Sequence, residues 1–103
     1  MQVIDVAENY KLVNDFLRRA KGSLNTFRYF YHRPVQTIKN HITTLMILEN
    51  GLPVCYGHLD PDNSKVWLGI AVVEEDKGKG YGKLMMIELL KAARINKINE
   101  IYF

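Results

Sequence analysis

The sequence holds one cysteine, three prolines and one tryptophan among 103 residues. A single thiol, Cys55, closes no intrachain disulfide, so the fold rests on its apolar core, and a reducing cytoplasm is the simplest setting. Cys55 lies in an apolar run and reads as a packing residue rather than a nucleophile. No segment has the length and hydropathy of a membrane span, and the first residues do not read as a basic-then-apolar leader, so no membrane partner is expected. Repeats, linkers and low-complexity tracts are missing too, which leaves one small domain with a 48% hydrophobic share. The charge excess is mild, +3. It suits an anionic ligand, but acidic residues scattered from Glu8 to Asp76 break any continuous basic face, so no nucleic-acid partner is expected.

What is present alternates between strand and helix patterns. Residues 2–6 read as a strand, and Leu12, Val13, Phe16, Leu17 and Ala20 recur at helical spacing over about residues 8–20. An aromatic and basic stretch, 23–33, follows, and a short helix is expected at 34–40. Residues 42–48 are apolar and β-branched. Asn50-Gly51 is a hairpin signal that returns the chain into 52–59. Asp60-Pro61-Asp62-Asn63 reads as a second turn, leading into 65–73, a strand apolar on both faces. A helix at 80–96 and a strand at 98–103 complete the chain. The fold class is therefore α/β (α+β), a mixed and mostly antiparallel sheet flanked by helices.

Between the apolar strand and the last helix stands Lys77-Gly78-Lys79-Gly80-Tyr81-Gly82-Lys83. Closely spaced glycines bring backbone amides near a ligand, and the helix behind aims its free N–H groups at the same place. That chemistry points to phosphate or pyrophosphate. A Walker A loop fails, because the second glycine falls at Lys83 and no hydroxyl follows. The dinucleotide fingerprint fails at the same residue, and the upstream strands are antiparallel rather than βαβ.

The segment resembles the acyl-CoA loop of the GNAT acetyltransferases, whose pattern is Arg/Gln-x-x-Gly-x-Gly/Ala. Lys77 replaces the usual Arg or Gln, and Val72 holds the place where a valine is frequent in the family. The order β-α-α-β-β-β-α-β also resembles most of that family's fold, without its last helix and strands. The resemblance implies a single acyl-CoA-binding domain, 1–103, incomplete at its C-terminus. A truncated chain, a shortened gene product and completion by a partner through the exposed last strand, as in a homodimer, are the alternatives.

The resemblance also implies an N-acetyltransferase using acetyl-CoA as co-substrate and no metal. The amides of Gly78, Lys79, Gly80, Tyr81 and Gly82 would cradle the pyrophosphate, with Lys77 and Lys83 adding charge. The backbone of Ile70, Ala71 and Val72 would pair with the pantetheine arm, and the Val72 amide is a candidate oxyanion donor. An amine would attack the thioester directly. His58, expected to titrate near neutrality, and Asp60 are the candidate bases; Asp60, which precedes Pro61, reads first as a turn residue. Glu74 and Glu75 read as solvated.

For the acceptor, the resemblance points to the stretch holding Phe27, Arg28, Tyr29, His32 and Arg33. Rings stack on sugars and arginines pair with phosphate or carboxylate, which favours a small molecule such as an amino sugar. The competing reading has half of these rings simply filling the core. A non-catalytic CoA-binding or assembly module is the alternative function. Gly80→Glu is expected to block the cofactor with little loss of folding, provided the turn does not need φ > 0.

Overall fold

Hairpin chemistry sets the sheet. Asn50 and Gly51 both take positive φ, 52° and 79°, the geometry of a tight primed turn that matches strand twist. They join β2 (Thr43–Glu49) to β3 (Leu52–Asp62). The second hairpin turns at Asn63 and Ser64, with φ of 52° and 64°, rather than over Asp60–Asn63. Asp60, Pro61 and Asp62 therefore belong to β3. Pro61 is tolerated there because β2 pairs only as far as Leu59, so the missing N–H falls on an unpaired edge. β4 (Lys65–Val72) follows, and β1 (Gln2–Asp5) covers the far side of β2. The order β1-β2-β3-β4 is antiparallel throughout.

Helices cover both faces of the sheet. α1 (Tyr10–Ala20) is capped by Asn9, whose side chain accepts from the Leu12 amide at 3.1 Å. Its Val13, Phe16 and Ala20 bury against Met46, Tyr56, Ala71 and Val73. On the other face α2 (Tyr81–Ile95) places Met85, Leu89 and Ala93 against Ile47, Cys55, Leu59 and Leu68. The helix comes close because Gly57 has no side chain: a Cβ there would lie 2.5 Å from Met85. Cys55 is fully buried in this layer, and burial pushes its thiol up to about 12.

The described residues are 1–103 in this computed structural model. Two expected elements take other forms. The short helix near 34–40 is a 3-10 turn, Val35–Asn40, one of three such turns between α1 and β2. The strand expected at 98–103 is a single parallel bridge, Trp67 with Tyr102. It is held by Leu68 N–H to the Tyr102 carbonyl at 2.7 Å and Tyr102 N–H to the Val66 carbonyl at 2.8 Å. No helix is long and apolar enough to cross a membrane.

Candidate functional site

The parting of the C-terminal segment from β4 creates the first part of the site. Val73 donates to the Val54 carbonyl across the hairpin, while Leu68 donates outward to Tyr102. Strand alternation then turns the Ile70 and Val72 amides outward as well, where no protein acceptor meets them. The Val72 carbonyl is engaged: it accepts from the Ser23 hydroxyl, which lies in the 3-10 turn after α1. β4 thus presents open N–H groups beyond the point where the bridge ends.

The glycine loop continues from that edge. Gly78 and Gly80 have φ of 82° and 88°, values that glycine adopts without cost. None of the amides from Gly78 to Lys83 donates to a protein acceptor, and α2 has no side-chain cap. A Cβ built on Gly78 or Gly80 meets nothing within 4 Å, so the concavity is open to a ligand. Free amides and the positive end of α2 make an anion cradle.

The loop's side chains are more committed than the sequence implies. Lys77 pairs with Glu74 at 3.0 Å and Lys79 with Asp76 at 3.1 Å, whereas Lys83 has no ion pair. Glu74 is exposed, yet its carboxylate also lies 3.2 Å from the Ser23 hydroxyl. Tyr81 gives its hydroxyl to Glu49, so it contributes an amide to the cradle but not its phenol. Asp76 points inward, its Oδ2 buried without a hydrogen bond and 3.8 Å from the Arg19 guanidinium of α1.

The second part of the site is a cavity of about 430 Å³ on the α1 face of β3 and β4. Phe27, Arg28, Tyr29, Arg33, His58 and Asp60 all line it. Of the residues expected there, His32 alone stays out: it is exposed and caps a 3-10 turn. The aromatic stretch divides between two tasks. Phe30 packs on the core, Tyr31 is half-exposed, and Phe27 does both, touching the core and facing the cavity.

His58 is 2% exposed. Burial first, then the neighbouring His41 and Arg33, pushes it down to about 3. This corrects the expectation that it titrates near neutrality; its ring is neutral, with Nδ1 2.6 Å from the Tyr56 hydroxyl. Tyr29 organises the opposite wall. Its hydroxyl donates to Asp60 Oδ2 at 2.9 Å and meets His41 Nε2 at 2.8 Å. Since a carboxylate only accepts, His41 supplies Nε2–H to Tyr29, and its Nδ1 accepts from Thr44 Oγ1 at 2.8 Å. Burial holds His41 low, against the pull of Asp60, and burial drives the Tyr29 phenol well above its ordinary range.

His41, Thr44, Tyr56 and Gly69 are site residues that the sequence reading passed over. Tyr56 was within reach, because residues two apart on a strand share a face with His58. Gly69 carried the signal of a glycine inside an apolar strand, which marks close approach. Nothing local ties His41 to Tyr29 or Asp60. No group of three or more His, Cys, Asp or Glu side chains is arranged to hold a metal ion.

The architecture is that of the GNAT N-acetyltransferases. An N-acetyltransferase from Staphylococcus aureus Mu50 superposes with a TM-score of 0.73 at 13% identity, over 98% of this chain and 72% of that one. The PaiA N-acetyltransferase of Thermoplasma acidophilum, solved with coenzyme A, gives 0.71 at 16% identity, over 98% and 77%. A GNAT family acetyltransferase from Brucella melitensis, solved with acetyl-CoA, gives 0.68 at 15% identity, over 92% and 70%. At these identities the likeness is one of fold. No protein-family model and no curated protein matches the sequence.

Proposed function

We propose that this chain transfers an acetyl group from acetyl-CoA to the amine of a small molecule. One observation carries the reading: an unbroken row of unpartnered amides, Gly78 to Lys83, continues the open edge of β4 at Ile70 and Val72. An acyl-CoA needs that pairing of features, a cradle for its pyrophosphate and strand-like donors for its amide-bearing arm. Lys83, exposed and without an ion pair, adds charge at the cradle. The acetyl- and CoA-bound fold neighbours support the same ligand.

In this reading the acceptor enters the cavity beside Gly69, and its amine attacks the thioester carbonyl. The N–C bond forms as the C–S bond breaks. An amine proton passes to the Asp60 carboxylate, oriented by Tyr29, and the departing thiolate takes up a proton from solvent. Asp60 takes that role because it lines the cavity with Oδ1 unbonded, whereas His58 is 2% exposed and held by burial far below its ordinary range. His58 instead shapes the cavity floor. The outward Val72 amide is the oxyanion donor in this reading.

Calorimetric titration of acetyl-CoA tests the reading, and saturable binding near one site per chain is the expected result. Absence of binding to the folded chain overturns it. Turnover with a panel of primary amines then separates an enzyme from a module that only binds CoA.

A further inference from the structure

Several charged side chains of this protein pair with a neighbour three or four residues away. Lys11 meets Asp15, Lys77 meets Glu74, Lys79 meets Asp76 and Lys91 meets Glu88. The acceptor cavity gathers four charges of both signs on one wall without pairing them. Arg28, Arg33, Asp60 and Asp62 all line it, yet none belongs to any ion pair of the chain.

Local bonds keep the opposite charges apart. Arg33 donates from Nη1 to the Tyr29 carbonyl at 2.9 Å and lies over the Tyr29 ring, 4.3 Å from its centre. Arg28 donates from Nε to the Asn25 carbonyl at 3.1 Å. Each guanidinium is anchored by one edge and keeps its remaining donors free. Asp60 is anchored through Oδ2 by Tyr29, which leaves Oδ1 unused. Asp62 is two residues further along the same strand face. Its cross-strand neighbour Lys65 is turned to the Tyr102 ring, 5.0 Å from its centre, instead.

We propose that the acceptor is an amino sugar carrying its own oxyanion, a phosphate or a carboxylate. Its ammonium is held by Asp60 and Asp62, its oxyanion by Arg28 and Arg33, and its ring lies against Phe27 and Trp67. The inference deepens the acyl-transfer reading and rests on it for the fate of the amine. A polyamine leaves both arginines unmatched and meets their repulsion. An anionic sugar without an amine meets the two aspartates in the same way. Only a molecule bearing both charges satisfies the whole wall.

Trp67 is the only tryptophan and is 40% exposed, so its fluorescence, backed by calorimetry, reports the cavity directly. The probes are glucosamine 6-phosphate and muramic acid, which carry amine and oxyanion, against glucosamine and glucose 6-phosphate, which lack one or the other. At low ionic strength, one or both of the doubly charged sugars is expected to bind about tenfold more tightly than either control. Which of them binds tighter identifies the oxyanion. The exposed pair R28Q/R33Q is expected to erase that preference, any change in glucosamine affinity being a gain as the arginines' repulsion of its amine is lost, and D62N to weaken every amine; thermal unfolding verifies that both variants fold. Equal affinity for glucosamine and its anionic forms overturns the inference, as does a preference that survives R28Q/R33Q or a cavity that binds none of the sugars. Acetyl-CoA is titrated in parallel. If it binds and the sugars show no preference, this inference alone fails; if the preference appears without acetyl-CoA binding, the acyl-transfer reading alone fails.

Discussion

His58 and Gly69 face each other across the β3–β4 pair, and a Cβ on Gly69 would lie 2.5 Å from His58 Nε2. The imidazole occupies the space that a side chain on β4 would have taken. It cannot swing aside, because Tyr56 holds Nδ1 and the Phe27 ring is 3.0 Å from the same Cβ position. The floor of the cavity is therefore set by the absence of one methyl group.

Gly69→Ala is expected to force His58 or Phe27 off its position, at a cost of about 1–3 kcal/mol. Chemical denaturation gives that cost, and Trp67 fluorescence follows the cavity in the folded variant. An unchanged midpoint together with unchanged acceptor affinity means that the ring is not confined as described.

The glycine loop calls for two different substitutions. Gly80 is left-handed, with φ of 88°, so Gly80→Glu strains the backbone by about 1 kcal/mol, and its effect on the ligand is mixed with an effect on folding. The condition attached to that substitution, a turn free of positive φ, is not met. Lys83→Glu avoids the difficulty because Lys83 is exposed and unpaired. It is expected to weaken acetyl-CoA by roughly tenfold with no change in thermal midpoint. The same substitution at Lys79 also releases Asp76, and is expected to lower the midpoint too.

Acid should destabilise this protein through buried His58 and half-buried His41. The ordinary value of 6.5 applies to His58 in the unfolded chain, and burial lowers it to about 3 in the folded one. Between those values the unfolded state binds the extra proton, so stability rises with pH across the window and falls as pH is lowered through it. Each unit below 6.5 removes up to about 1.4 kcal/mol, and burial makes His41 add in the same direction. The thermal midpoint is expected to drop steadily from near neutrality to about pH 4, and the slope to flatten in His58→Gln. A midpoint that stays level over that interval contradicts a buried neutral His58.

Periodicity and turn chemistry were enough to place the sheet, both long helices and the glycine loop. These are local: Asn50-Gly51 selects its turn through backbone preference alone, and α1 and α2 announce themselves by which residues share a face. The cradle was legible for the same reason, since amides that belong to consecutive residues are positioned by the loop itself. The resemblance to the GNAT acetyltransferases, and not any spacing along the chain, drew Phe27, Arg28, Tyr29, His32 and Arg33 together with His58 and Asp60; all but His32 line one cavity.

What only the tertiary structure decided is the state of those groups. Burial turned His58 from a neutral-range titrating group into a ring held neutral, because desolvation depends on everything packed around it and not on its neighbours in sequence. The Asp60–Tyr29–His41–Thr44 chain joins β3 to a 3-10 turn and to the start of β2, a closure that no period or motif encodes. The last strand shrank to one bridge at Trp67 for a similar reason. A pattern shows that a segment is able to pair, but how far it pairs is set by the edge it meets.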